Sequence, residues 1–141
     1  MKYFRWKVKS YTLVELLIVV VIMGVMVGIA IPLYEQTVEK SRARTAWTTL
    51  KLIRYAKKIY ELNVGPIYNI SESDTTWGDL KLDNPNVVHA GVGFAFSVEA
   101  SPFKAEARRT TGDAASETYE IDDTGTIQKN PSGGKLPPVT F

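Results

Sequence analysis

Eighteen consecutive residues without a charge, Leu16 to Leu33, constrain this chain more than any other feature of it. At ~1.5 Å of rise per residue the run approaches the ~20 residues that carry a helix across a bilayer. Glu15 stands immediately before it. A carboxylate within a membrane segment costs ~2.5–3.5 kcal/mol at the helix centre on insertion scales, and less near the interface. A partner for Glu15 is therefore expected, and what that partner is bears directly on function.

Charge is distributed unevenly around the run. Residues 1–10 carry Lys2, Arg5, Lys7 and Lys9 and no acid, a local charge of +4. Cytoplasmic flanks retain Lys and Arg, so the N-terminus should face the cytoplasm and the remainder should lie outside. From Glu35 to Glu61 there are seven basic and three acidic residues, and after Pro66 six basic and eleven acidic. The order is basic leader, apolar span, basic helix, acidic head. A simple secretory signal would have an apolar core of about 7–15 residues followed by a small-residue cleavage site. Here the core is longer, holds Pro32 near its end and runs into an amphipathic segment; a plain membrane anchor is the other competing reading. With 141 residues there is room for one domain beyond the span, and the absence of cysteine removes disulfides and thiolate chemistry.

From Tyr34 to Asn63 the pattern is helical. Ala43, Ala46, Trp47, Leu50, Ile53, Ala56 and Tyr60 form one stripe on a 3.6-residue period, with Arg42, Arg44, Lys51, Arg54 and Lys58 off it. Asn63-Val64-Gly65-Pro66 is a breaker cluster that ends the helix. Joined to the apolar span, this predicts one helix of about 50 residues, apolar all round in its first half and one-sided in its second. Residues 66–90 show no period; Thr76-Trp77-Gly78-Asp79-Leu80 and Asp83-Asn84-Pro85-Asn86 read as loop and turn signals. Phe94, Phe96 and Val98 then alternate with Ala95, Ser97 and Glu99. Phe103, Ala105 and Ala107 alternate in the same way with Lys104, Glu106 and Arg108, beyond Ser101-Pro102. Residues 118–121 and 126–128 flank Asp122-Asp123-Thr124-Gly125, a hairpin signal. The fold class expected is α+β, with three or four short antiparallel strands on the stripe of the long helix and the tail 130–141 as a surface segment or edge cover.

The stretch Ser10-Tyr11-Thr12-Leu13-Val14-Glu15-Leu16-Leu17-Ile18-Val19-Val20 resembles the class III signal of type IV pilins and type II secretion pseudopilins. The resemblance is close over residues 1 to about 62 and holds only in outline for the head. In that family a basic leader is cut before an aromatic residue and the new N-terminus is methylated. A glutamate is fifth in the mature chain, where Glu15 falls when counted from Tyr11, and Pro32 matches the family's kinking proline. The residue before the cut is Ser10, where the family nearly always has glycine. The resemblance implies cleavage between Ser10 and Tyr11 by a prepilin peptidase, N-methylation of Tyr11, residence in the inner membrane before assembly, and an assembly platform. It also implies a homo-oligomeric helical filament in which the Tyr11 amine of one subunit reaches Glu15 of its neighbour. Gly24 and Gly28, spaced for close helix approach, and Pro32, which clashes with the carbonyl of Gly28, are the packing and kink candidates. By the same resemblance, the section between Gly24 and Pro32 melts on assembly.

Other chemistry is not expected. His89 is the one histidine, and without cysteine it makes no transition-metal site. Glu120, Asp122 and Asp123 lack the spacing of a calcium loop and read as a solvated turn. No nucleophile elbow or triad stands out, and Asn69-Ile70-Ser71 is only a weak glycosylation sequon. A nucleic-acid surface on the basic helix 40–58, with Trp47, Tyr55 and Tyr60, is disfavoured against solvated flanks that face acidic heads. The reading is a non-enzymatic filament subunit without cofactor or metal. Its expected parts are a leader (1–10), a transmembrane and filament-core helix (11–33), an amphipathic helix (34–63) and a connecting loop with sheet head (64–141). A secretion pseudopilin and a DNA-binding competence pilin are the alternatives.

Overall fold

A computed structural model describes residues 11–72, 76–112, 115, 117–130 and 136–139. Helix α1 spans Leu13–Asn63, continuous through Pro32. It ends as the breaker cluster predicts: the amide of Val64 donates to the Tyr60 carbonyl at 2.8 Å, and Gly65 follows with φ 136°. The Asn63 side-chain amide donates to the Ile59 carbonyl at 2.8 Å, satisfying one of the carbonyls a helix end leaves open. The chain divides into two compact units, Met1–Val38 and Glu39–Phe141, which are taken separately.

In the first unit every described side chain from Tyr11 to Thr37 is exposed. The residues from Leu13 to Leu33 form ~30 Å of helix, the thickness of a hydrocarbon core. Among the described residues of this unit, nothing covers that apolar surface.

The second unit has a conventional core. The predicted stripe is buried from Ala43 through Ala46, Trp47, Leu50 and Ile53 to Ala56, with Tyr60 partly buried against the cluster. Four strands follow: β1 (Phe94–Glu99), β2 (Lys104–Arg109), β3 (Thr118–Asp122) and β4 (Ile127–Asn130). They form an antiparallel meander in the order β1-β2-β3-β4. The register pairs Phe96 with Ala107, Ala107 with Tyr119, and Ile121 with Ile127, so inward residues stack across the sheet. Ala105 and Ala107 are fully buried in the second strand. Their small side chains leave room for larger neighbours: Trp47 meets Tyr119 edge to face at 5.5 Å between ring centroids.

Two expectations are corrected. The stretch read as loop contains a 3₁₀ helix, Thr76–Leu80, with Trp77 and Leu80 buried, and a short helix α2, Pro85–Val88. Asn84 caps α2 through its side chain, which accepts from the Asn86 amide at 2.9 Å, and Pro85 takes the first helical position. The turn residues were therefore signals of a capped helix start. The tail, expected as a surface segment or an edge cover, also enters the core: Leu136 is buried there, and the Pro137 carbonyl accepts the Tyr119 hydroxyl at 2.6 Å.

The outer edge of β1 is closed by the connection. Ile70 and Val98 exchange two backbone hydrogen bonds of 2.8 Å. The Asn86 side chain accepts from the Phe96 amide at 2.6 Å and donates to its carbonyl at 3.0 Å, in the manner of a neighbouring strand. Asn69, the sequon residue, accepts from the Ala100 amide at 2.7 Å. An edge so occupied cannot template further strand pairing.

Candidate processing and assembly site

The chemistry expected of the N-terminal segment centres on Glu15. Ser10 lies outside the described residues; Tyr11 is exposed, and α1 begins two residues later. Thr12 and Glu15 clasp one another. The Thr12 amide donates to Glu15 Oε2 at 3.3 Å, the Thr12 hydroxyl donates to the same oxygen at 3.4 Å, and the Glu15 amide donates to Thr12 Oγ1 at 3.2 Å. This is a capping box, in which a Thr and a Glu three residues on satisfy each other's otherwise orphaned amides. The negative charge also sits at the positive end of the helix dipole. Within a single chain, Thr12 and the helix end are therefore what accommodates the acid. The signal for it, Thr-x-x-Glu before an apolar run, is legible in the sequence.

Beyond the cap, Gly24, Gly28 and Pro32 recur every four residues along one side of the helix. A Cβ built on Gly24 or Gly28 meets nothing within 4 Å, so both glycines lie open to an approaching helix. The helix is long and apolar enough to cross a membrane, and none of its most apolar window is buried.

Residues 7–31 match the family model described as the prokaryotic N-terminal methylation motif. The chain carries the class III signal of type IV pilins and pseudopilins. No curated protein and no solved structure matches it significantly. The signal supports a pilin- or pseudopilin-like precursor and, with the apolar helix, fits membrane anchoring; such signals in general imply processing by prepilin peptidase and filament assembly. The long apolar helix and four-stranded antiparallel sheet make an α+β, pilin-like arrangement.

In the head of this prepilin-like chain the three acids weighed for calcium go separate ways. Asp122 Oδ1 accepts from the Thr124 hydroxyl at 2.5 Å and from the amides of Thr124, Gly125 and Thr126, closing the β3–β4 turn. The Thr124 hydroxyl leads the causes that hold the Asp122 carboxyl below its usual pKa. The Asp123 carboxylate is taken by Lys57 at 2.6 Å, and Glu120 accepts from Asn130 at 2.9 Å. Among the described residues no three acids, histidines or cysteines form a metal-binding group. His89 is the C-cap of α2, its ring centroid 6.4 Å from that of Phe96.

Part of the basic helix works inside the head. Arg54 donates twice to the Asp123 carbonyl, at 3.0 and 2.6 Å, and Arg42 lies 3.6 Å from Glu39. Two buried cations escaped the sequence reading. Lys57 bridges Asp123 and Glu61 and lies over the Phe103 ring at 4.7 Å. Arg109, at the end of β2, reaches Glu39 at 3.0 Å, donates to the Val92 and Gly93 carbonyls, and lies over the Phe94 ring at 5.2 Å. The alternation of β2 already placed position 109 on the inward face with Ala105 and Ala107. Its charge concealed that.

Proposed function

We propose that the chain is a structural subunit of a type IV pilus-like filament. It enters the inner membrane as a single-pass precursor, is cut between Ser10 and Tyr11 by prepilin peptidase, and is methylated at Tyr11. An assembly platform then adds it to a homo-oligomeric filament at the cell surface. Residues 11–33 supply the filament core, 34–63 carry the head, and 64–141 form it.

The observation that carries this reading is the apolar helix, exposed on every side from Leu13 to Leu33 and headed by Glu15. Such a surface requires a hydrocarbon phase or other helices around it. A bilayer supplies the first before assembly, and neighbouring subunits supply the second afterwards. Gly24, Gly28 and Pro32 are the positions of closest helix approach. Glu15 exchanges its Thr12 contacts for the Tyr11 amine of an adjacent subunit. The exchange fixes axial register, because a charge left alone among packed helices costs ~3–5 kcal/mol.

Mass spectrometry of sheared surface material, with electron microscopy of the same fraction, tests the reading. Fibres built from a chain that begins at N-methylated Tyr11 are the expected result. Fibres that retain Met1 would overturn the processing step. Correct processing without any fibre would move the assignment to a periplasmic pseudopilus.

A further inference from the structure

The two ends of the apolar helix are furnished differently. Before the run stand Lys2, Arg5, Lys7 and Lys9, and Tyr11 lies two residues ahead of α1. Long cations of this kind hold a helix end at the membrane surface by reaching up to the headgroups. Beyond Leu33 come Tyr34, Glu35, Gln36, Thr37, Val38 and Glu39, and the first cation is Lys40. The outer end therefore lacks that device next to the run. Thr37 does not replace it, because its hydroxyl is spent on the Leu33 carbonyl at 2.8 Å.

Tyr34 stands in its place. Its ring is 70% exposed, as that of Tyr11 is 74% exposed, and no aromatic residue lies between the two. From Leu13 to Tyr34 the helix rises ~32 Å. A bilayer has a hydrocarbon core of ~30 Å and measures ~40–45 Å with its headgroup layers. When α1 spans it, both tyrosines fall in those layers, where an amphipathic ring turns its face to the acyl chains and its hydroxyl to water. One aromatic at each end and none between is the belt pattern of a membrane helix. The same depth leaves Glu15 at the inner edge of the core and Glu35 in the outer headgroup layer, where a carboxylate costs less than at the centre.

We propose that Tyr34 is the outer interfacial anchor of α1: its ring binds the headgroup layer of the bilayer and fixes how deep the helix sits, with Tyr11 and the leader cations as its counterpart on the inner face. This rests on the membrane half of the reading above and not on filament formation. A helix held at both ends meets a change of bilayer thickness by tilting or by deforming the lipid around it. A helix held at one end lets the other sink or emerge.

The chain has no cysteine, so a single introduced one is a clean probe of depth. The test places the full chain in nanodiscs of short-chain or long-chain phosphatidylcholine and treats it with a charged, membrane-impermeant maleimide. The reagent needs a thiolate, which forms only where water reaches the sulfur. Gln36→Cys reports the outer boundary and Val20→Cys the middle of the run. With Tyr34 in place, the labelling rate at position 36 is expected to agree within about twofold between the two lipids, whereas Tyr34→Ala should slow it at least about fivefold in the thicker bilayer. Tyr34→Trp should keep the native behaviour, and Tyr34→Leu, which has no polar tip, should follow alanine. Positions 20, 34 and 36 are all exposed, so the fold is not at stake. An alanine variant as indifferent to thickness as the native chain, or a leucine variant that behaves as native, would overturn the anchor. Rapid labelling of Val20→Cys would instead overturn the membrane reading, and the anchor with it.

Discussion

Lys57 Nζ and Asp123 Oδ1 are 2.6 Å apart, with the lysine side chain 6% exposed and the aspartate 60%. The ammonium is buried and its partner is wet, so the two halves of the pair behave differently when one is removed. Lys57→Met keeps the stem packed on Phe103 and lets the Asp123 carboxylate return to water. The expected cost is ~0.5–1.5 kcal/mol, below the range for a fully buried pair. Melting of the intact chain, followed by tryptophan fluorescence, should show a drop of about 2–8 °C. Lys57→Glu, which buries an acid beside Asp123 and Glu61, should cost at least twice as much.

Stability should fall at both ends of the pH scale, for separate reasons. Burial by itself lowers the Lys57 pKa, but hydrogen bonds to Asp123 and Glu61 more than offset it and hold the group above 10.5. A raised pKa contributes stability that is complete below the unfolded value and is lost as pH rises through the folded one. Burial, then the nearby Glu39 carboxylate, also raises the Tyr119 phenol, and the hydrogen bond to Asp79 pushes Tyr68 up to about 12. All three groups therefore weaken the fold above about pH 10. The lowered Asp122 pKa has the opposite sign, its contribution being present above 3.8 and lost as pH falls below that. Melting points between about pH 3 and 12 should form a plateau. Lys57→Met should flatten the alkaline limb and Asp122→Asn the acid one; unchanged limbs would refute both assignments.

Gly93 gives Arg109 its place. It has φ 77°, and a Cβ there would lie 2.5 Å from Arg109 Nη1 and 2.8 Å from Thr111 Oγ1. Gly93→Ala must bear the left-handed backbone, ~1–2 kcal/mol, and must also displace a buried guanidinium from Glu39 and two carbonyls. A total loss of ~2–4 kcal/mol is expected, measured by the same melts. Gly91→Ala, with open space around its Cβ, should stay within ~0.5 kcal/mol.

The capping box separates two roles of Glu15. Thr12→Val removes the hydroxyl that both gives to and takes from Glu15, and should loosen the first turn by ~1 kcal/mol. Hydrogen exchange of residues 12–15 should quicken in that variant and stay near native in Thr12→Ser. Under the filament proposal, Glu15→Ala should enter the membrane normally yet be excluded from fibres when co-expressed with the native chain. Incorporation at native frequency would leave Glu15 as a cap alone and end the ion-pair account of register.

Leu136 anchors the tail. It is 2% exposed, and its amide donates to Glu117 Oε2 at 2.9 Å. Leu136→Ala should destabilise the head by ~2–4 kcal/mol through lost burial and the cavity left behind. Leu62→Ala, at 86% exposure, serves as the control and should change stability by less than ~0.5 kcal/mol.

What the sequence determined by itself was everything written in short-range periodicity. The charge-free run, the stripe from Ala43 to Tyr60, the alternation in β1 and β2 and the Asp-Asp-Thr-Gly turn each mapped onto an element close to its expected bounds. A helix or strand declares itself through neighbours two to four residues away. The methylation motif is local in the same sense, and Thr12 with Glu15 was legible by the same rule. Tertiary structure alone decided that Lys57 is buried and which acid neutralises Arg109, that Asp123 is engaged, and that Trp77 and Leu136 belong to the core. Glu39 and Arg109 are 70 residues apart and Lys57 and Asp123 are 66 apart. A charge reads as surface until the residue that neutralises it is known, because burying it alone costs several kcal/mol. No local pattern names that residue; only folding brings it within 3 Å.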